Sequence, residues 1–204
     1  MNPNAIREKF GDDYIADDRT FMMGIDQRFT ANMAERFRGR RVLETCTGAG
    51  FTTIALARVA SQVITVEIDR YRQTQAKKNL KKAGLLGSVT FVSGSILDQS
   101  LLAGLPPFDA AFLAPDWAIT GPDHVYRFLH SNTQPPADTL LKTILELTEN
   151  VAIVLPPLLN TGEFAGLPPN ECQMLYLGES HELYGLYFGD LAAGFGDTAF
   201  RVSV

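Results

Sequence analysis

The 204-residue sequence contains few residues that could build a metal centre or a disulfide framework. It has two cysteines, Cys46 and Cys172, three histidines and one tryptophan. The cysteines lie far apart and lack the paired spacing of a zinc site. We therefore expect two reduced thiols and no bound metal. No basic-then-apolar signal peptide opens the sequence, which predicts a cytoplasmic location.

The sequence also lacks a long apolar segment and an excess of positive charge. No apolar run approaches the ~18 to 20 residues that span a bilayer, so we expect no membrane role. The formal net charge of -5 predicts no strong overall attraction to a polyanion. A local basic patch would still bind one. Five arginines between Arg28 and Arg41 form either an RNA-facing patch or a solvated helix face, and both interpretations stay open.

The order of apolar and amphipathic segments predicts an α/β fold. Apolar segments alternate with helical ones, which is typical of a parallel sheet covered on both faces. Two later strand-like segments, separated by Glu-Ser-His, predict an antiparallel hairpin at the sheet edge. The predicted strands are 42–46, 63–67, 89–92, 110–113, 151–155, 172–178 and 182–189, and the predicted helices are 52–60, 70–83 and 138–147. We assign residues 1–40 to a short helical N-terminal extension and residues 41–204 to the main domain.

A glycine turn follows the first predicted strand. Gly48 and Gly50 allow the backbone to approach a ligand closely, and Glu67 ends the next strand, where an acid can accept from both hydroxyls of a ribose. The turn lacks the third glycine of a dinucleotide fingerprint and the Lys-Ser or Lys-Thr of a phosphate loop. A helix N-terminus suits a carboxylate, and Glu44 is placed to receive an amino group. These features predict a methyl donor built on adenosine. The alternative is a bare tight turn, with Glu67 or Asp69 capping the next helix.

The segment 44–50 resembles the donor loop of the class I S-adenosylmethionine-dependent methyltransferases. The resemblance implies S-adenosylmethionine as the cofactor and a Rossmann-like, mostly parallel sheet of seven strands. It also implies that Glu67 binds the ribose and that Ile68 packs against adenine. Ser95 stands where the family often has an acid for the adenine amino group. The donor-binding residues implied are Glu44, Thr45, Gly48, Ala49, Gly50, Phe51, Thr52, Glu67, Ile68, Ser95 and Ala114.

The segment that follows the fourth strand is a candidate acceptor turn. Residues 114–117 read Ala-Pro-Asp-Trp, at the sheet edge where open α/β folds bind ligands. They resemble the Ser-Pro-Pro-Trp of the trimethylguanosine synthase family, which methylates guanine N2 of RNA caps. The resemblance implies that Trp117 stacks on guanine, and we predict that Pro115, Asp116 and Trp117 form the catalytic turn. Ala114 replaces the polar residue, and Asp116 replaces the second proline, which predicts a looser turn. His124 follows in the same loop and merits a test.

The combined features predict an enzyme that methylates an exocyclic amino group, that of guanine N2 in RNA, with RNA or a nucleoside-like acceptor as its partner. Two alternatives stay open. One is a methyltransferase for a small planar metabolite, which the sequence pI of 5.2 favours. The other is a catalytically silent donor-binding module, which Ala114, Asp116 and Ser95 suggest.

Overall fold

The computed structural model describes residues 1–117 and 126–203. The chain divides into two compact units, Met1–Ala110 and Ala111–Val204. Its strands are mostly parallel, with antiparallel pairing among the C-terminal ones, and the predicted α/β fold class is confirmed. The described residues contain eight strands, one more than predicted. Among them, no helix is both long and apolar enough to cross a membrane.

Three short helices occupy the first 35 residues of unit 1. They are α1 (Pro3–Phe10), α2 (Asp18–Met23) and α3 (Gln27–Glu35). Each begins after a polar residue whose side chain accepts a backbone N–H of the first turn, which satisfies donors that the helix leaves unpaired. The division of the chain into an extension over residues 1–40 and a domain over 41–204 stays a prediction.

Unit 1 continues with three parallel strands and the helices between them. The elements are β1 (Arg41–Thr45), α4 (Phe51–Ala57), β2 (Gln62–Glu67), α5 (Arg70–Lys82), β3 (Val89–Ser93) and α6 (Gln99–Ala103). β2 lies between β1 and β3 and pairs in parallel with both. Thr45 pairs with Val66, so the turn that leaves β1 lies beside Glu67 at the end of β2.

Unit 2 combines a parallel pair with an antiparallel extension. Its elements are β4 (Ala110–Leu113), α7 (Ala137–Leu145), β5 (Val151–Leu155), β6 (Asn170–Leu177), β7 (Ser180–Phe188) and β8 (Gly196–Val202). β4 pairs in parallel with β5, and β7 runs antiparallel to both β5 and β6. The hairpin of β6 and β7 therefore exists. Its turn is Gly178–Glu179, because Ser180 and His181 already pair within the hairpin.

The sequence predicts that the hairpin lies at the edge of the sheet, and this prediction is wrong. β8 pairs in parallel with β6 over seven residues and covers that edge. Within β8 no residue is buried, which is typical of an edge strand and explains why its sequence has no clear apolar alternation.

Candidate donor site and acceptor turn

Residues 46–50, between β1 and α4, form the turn that contains the two glycines, which we call the donor turn. Glu67 holds the donor turn and the start of α5 through one carboxylate. Its Oε2 accepts from the Gly48 N–H at 2.8 Å, and its Oε1 accepts from the Asp69 N–H at 2.9 Å. The residue is only 6% exposed. A carboxylate has about four acceptor positions, so two backbone donors fix its orientation and leave capacity for two hydroxyls. Asp69 is the residue that caps α5, since its side chain accepts from the Tyr71 and Arg72 N–H groups.

The two glycines of the donor turn have different structural roles. Both adopt left-handed backbone angles, with φ of 55° at Gly48 and 84° at Gly50. A Cβ atom at Gly48 would come within 4 Å only of the Cys46 carbonyl oxygen, at 4.0 Å. At Gly50 it would lie 3.0 Å from the Ala76 Cβ atom, on α5. Gly48 therefore leaves room for a ligand, whereas Gly50 allows α4 and α5 to pack closely.

Glu44 is a buried acid on β1. Its Oε2 accepts from the hydroxyls of Thr53, at 2.6 Å, and Thr65, at 2.7 Å. Burial, helped by the nearby charge of Glu67, raises the pKa of Glu44 to about 7 against the lowering effect of the two hydroxyls. The side chain is 1% exposed. Its role as the acceptor for the amino group of the donor stays a prediction.

Two further residues at the ends of β1 and β2 fit a bound nucleoside. The Thr45 hydroxyl is buried and has no hydrogen-bond partner among the described residues. Ile68 is 71% exposed although it is apolar. An unpaired buried hydroxyl is costly unless it finds a partner, and an exposed apolar side chain gains by covering a flat ring. Together with the space at Gly48 and the oriented Glu67 carboxylate, they fit an adenosine-based donor.

The predicted donor residues of the turn and of α4 also contact the N-terminal part of unit 1. The Phe51 ring stacks on Phe10 with centroids 3.6 Å apart. Ala49 accepts through its carbonyl oxygen from Asn79 Nδ2 at 2.9 Å, and the same buried amide pairs with both backbone groups of Ile15. Thr52 is half-buried in the first turn of α4. Sequence analysis missed Asn79, because an amide in a basic helix carries no signal of such a contact.

Ser95 is the available side chain at the predicted adenine position. It is half-buried, and its Oγ accepts from the Leu97 N–H at 3.3 Å. Asp98, the nearest acid, caps α6 by accepting from the Ser100 and Leu101 N–H groups. Asp98 is therefore occupied by helix capping.

The backbone of the acceptor turn is held by Gln134 and Tyr126 within unit 2. The Asp116 N–H donates to the Gln134 carbonyl at 2.8 Å, and the Gln134 N–H donates back at 2.9 Å. The Tyr126 hydroxyl donates to the Trp117 carbonyl. A proline at position 116 has no N–H and could not form the first bond, so Asp116 allows a backbone contact that a second proline would not, and the predicted loosening stays a prediction. Pro115 is buried, whereas Ala114, Asp116 and Trp117 are half-buried.

The remaining polar candidates that the structure describes have separate partners. His124 lies outside the described residues. The His130 N–H donates to Asp138, and the His181 ring contacts the Leu183 carbonyl at 3.0 Å. In residues 1–117 and 126–203, no group of three or more His, Cys, Asp or Glu residues is placed to hold a metal ion.

Three of the five N-terminal arginines are engaged by acids. Arg28 pairs with Asp26, Arg38 pairs with Glu35, and Arg41 pairs with Asp109. Hydrogen bonds from Arg41 lower the pKa of Asp109 to about 2. The side chains of these three arginines stay 35%, 64% and 44% exposed, so RNA bound here would compete only with surface ion pairs, and the RNA-facing patch stays a prediction.

The fold and the family match define a class I S-adenosylmethionine-dependent methyltransferase, as predicted, and S-adenosylmethionine is the cofactor of this class. The chain belongs to the RNA cap guanine-N2 methyltransferase family, which it matches over residues 39–182.

Three known proteins illustrate the range of its relatives. Catechol O-methyltransferase of Mycobacterium tuberculosis (strain ATCC 25618 / H37Rv) is 37% identical over 92 residues, which are 44% of this chain and 42% of that protein. A proposed methyltransferase from Porphyromonas gingivalis W83 has a TM-score of 0.73 at 16% identity, covering 91% of this chain and 47% of its own. The 16S rRNA N2 G1207 methyltransferase of T. thermophilus, solved with AdoMet and guanosine, has a TM-score of 0.56 at 17% identity, covering 85% and 43%. The chain therefore spans less than half the length of each, and the two structures show the fold alone.

Proposed function

We propose that the protein methylates the exocyclic amino group of guanine, at N2, in RNA. The observation that carries this proposal is the family match over residues 39–182, which includes both the donor turn and Pro115 to Trp117. The 16S rRNA methyltransferase from T. thermophilus, which acts on the same type of amine, supports it through a shared fold.

Different donor residues of unit 1 would hold different parts of S-adenosylmethionine. The cofactor supplies an electrophilic methyl group on a sulfonium centre. Glu67 would accept from the ribose hydroxyls, because two backbone donors already orient its carboxylate. Gly48 would allow close approach of the backbone. Ile68 would pack against the adenine, and Glu44 would receive the amino group.

The acceptor turn of unit 2 would position the guanine. Trp117 would stack on the base, an interaction worth ~1 to 3 kcal/mol. The Asp116 carboxylate would accept a hydrogen bond from the amine, a role that the alanine side chain at position 114 cannot fill. Methyl transfer to an amine requires little acid–base chemistry, so correct alignment supplies most of the rate. The backbone bonds to Gln134 and the hydrogen bond from the Tyr126 hydroxyl support this role by fixing the turn.

The proposal is tested by incubating the protein with radiolabelled donor and fractionated cell extract, with and without ribonuclease treatment. We expect the label in ribonuclease-sensitive material, and digestion to nucleosides should yield N2-methylguanosine. Label in small molecules that resist ribonuclease would contradict the RNA acceptor. Label on another nucleoside would contradict the guanine assignment.

Two other functions have specific support. A small planar acceptor is favoured by the 37% identity to a catechol O-methyltransferase and by the formal net charge of -5. A silent donor-binding module is favoured by Ala114 and Asp116, which depart from the family motif, and by Ser95. The labelling experiment separates all three, because a silent module would bind the donor in calorimetry but label nothing.

A further inference from the structure

The charge of α5 differs from that of the rest of the molecule. The helix contains six lysines and arginines in thirteen residues and no acid, whereas the whole chain has a formal net charge of -5. Four of these cations are Arg70, Lys77, Lys78 and Lys81, which we call the basic stripe. Each of the four is exposed.

The basic stripe has no carboxylate partner within the described residues, unlike the other two cations of α5. Lys82 pairs with Asp12 and Asp13, and Arg72 pairs with Asp69. Lys77 approaches the Gln73 Oε1 atom at 3.3 Å and lies over the Phe91 ring, which places the ammonium group without neutralising it.

The geometry of the helix aligns three of these cations. Arg70, Lys77 and Lys81 are separated by seven and then four residues, so they lie on one face. With a rise of about 1.5 Å per residue, the distance from Arg70 to Lys81 along the axis is about 16 Å. That length is enough to contact several successive phosphates of a nucleic-acid strand. Tyr71, beside Arg70, is 65% exposed and offers an aromatic face for a base.

The arrangement is unfavourable for an isolated helix. Lys77 and Lys81 are four residues apart, and a like-charge pair at that spacing destabilises a helix. Arg70 also lies at the helix N-terminus, where the macrodipole disfavours a cation. The macrodipole favours a cation in the last turn, which accounts for Lys81. It does not account for Arg70 or for the repulsion between Lys77 and Lys81, and a bound polyanion would remove both of these costs.

We propose that the basic stripe binds the sugar–phosphate backbone of the RNA acceptor. The inference rests on the proposed function in one respect, that the acceptor is RNA. It adds a contact surface that the donor site and the acceptor turn do not include. Binding there is independent of the base sequence, because phosphates carry no sequence information.

The test uses fluorescence anisotropy of the full chain with a labelled 20-nucleotide oligouridylate, which contains no guanine. Four contacts predict a slope of about -3 for the logarithm of the binding constant against the logarithm of salt concentration, since each contact on a single strand contributes about -0.7. Replacement of the four cations of the basic stripe by Gln should weaken binding at least tenfold at low salt and bring the slope close to zero. Lys78→Gln and Lys81→Gln, made singly, should each reduce the slope by about 0.7.

A matched control carries Gln at four exposed cations on other parts of the chain, Arg7, Arg38, Arg127 and Lys142. It has the same net charge as the stripe variant, and it should keep the wild-type slope. Calorimetry with S-adenosylmethionine should give equal donor affinity in both variants, which confirms their folding. Equal weakening of oligouridylate binding in the two variants, or no salt-dependent binding by the wild type, would overturn the proposal.

The outcomes separate this inference from the proposed function. A wild type that binds oligouridylate through the stripe but methylates no guanine in RNA would refute the acceptor assignment and support the stripe. A wild type that methylates guanine in RNA while the stripe variant binds oligouridylate normally would refute the stripe and support the acceptor assignment.

Discussion

At the scale of single residues, Glu67 has two structural duties that a ribose contact would extend. Its carboxylate accepts from the Gly48 and Asp69 N–H groups, so its orientation is set before any ligand binds. A preoriented acceptor loses little freedom on binding, which favours a strong contact with a diol. The same bonds mean that removal of the carboxylate also affects the turn.

Glu67→Ala should weaken donor binding by roughly 1.5 to 3 kcal/mol, more than tenfold, because charge-assisted hydrogen bonds to the ribose are lost. Isothermal calorimetry with S-adenosylmethionine and with its demethylated product measures the change. Asp69→Ala is the control, since it removes the α5 cap and lowers stability by about 0.5 to 2 kcal/mol. Its donor affinity should stay within about twofold. A folded Glu67→Ala protein with wild-type affinity would refute the ribose assignment.

Trp117 provides the test of the acceptor turn. Trp117→Ala should weaken acceptor binding by ~1 to 3 kcal/mol, and Trp117→Phe should recover much of the loss, because a flat ring remains. Donor affinity should stay nearly constant. Steady-state kinetics on a guanine-containing RNA measure the effect on KM and kcat separately.

A matched variant is Asp116→Asn, which should lower kcat more than it raises KM if the carboxylate aligns the amine. Unfolding of Trp117→Ala, or kinetics equal to those of the wild type, would identify Trp117 as a packing residue. The guanine assignment would then lose its support from the turn.

At the scale of elements, the turn between β1 and α4 separates ligand access from helix packing. Gly48 and Gly50 both need left-handed backbone, so alanine costs roughly 1 to 2 kcal/mol at either position. Only Gly50 adds a close approach, of 3.0 Å to the Ala76 Cβ atom. Overpacking of that kind costs roughly a further 1 to 3 kcal/mol.

Gly50→Ala should therefore lower the free energy of unfolding more than Gly48→Ala does. Relative to the stability that each variant loses, Gly48→Ala should weaken donor binding more than Gly50→Ala does. Urea denaturation and calorimetry on the two variants measure both quantities. A Gly48→Ala protein that is less stable than Gly50→Ala would contradict the assigned packing role.

The elements that sequence predicts well are those with a strong local pattern. The strands of unit 1 are short and rich in apolar and β-branched residues, and all but the first residue of β1 and of β2 are buried. The predicted bounds of β1, β2 and β3 differ from the structure by one residue at most at each end. α6 and β8 were not predictable in this way. α6 has five residues with none buried, and β8 lies at a sheet edge, so neither carries an apolar period.

At the scale of the whole molecule, tertiary contacts decided what the sequence left ambiguous. Arg41 looks like part of a basic segment, but it pairs with Asp109, which is 68 residues away. The buried carboxylate of Glu44 likewise accepts hydrogen bonds from hydroxyls on α4 and β2. Residue types and local spacing identify the donor turn, whereas the charge state of the residues around it can be predicted only from the fold.

The buried acid Glu44 makes the stability of the whole protein depend on pH in a defined direction. Its folded pKa is about 7, above the ordinary value of 4.5. Between those values the folded state keeps a proton that the unfolded state has released, so stability from this group is present below about pH 4.5 and is lost as the pH rises towards 7. A shift of that size corresponds to about 3 kcal/mol.

We therefore expect the free energy of unfolding of the wild type, without donor, to fall by about 2 to 3 kcal/mol more between pH 5 and pH 8 than that of Glu44→Gln. Urea denaturation of both proteins at a series of pH values measures this difference. The comparison cancels other titrating groups, and Asp109, with a pKa lowered to about 2 by Arg41, contributes almost no slope in this window. Parallel curves for the two proteins would mean that Glu44 is charged throughout, which requires a cation or water beside it that compensates its burial.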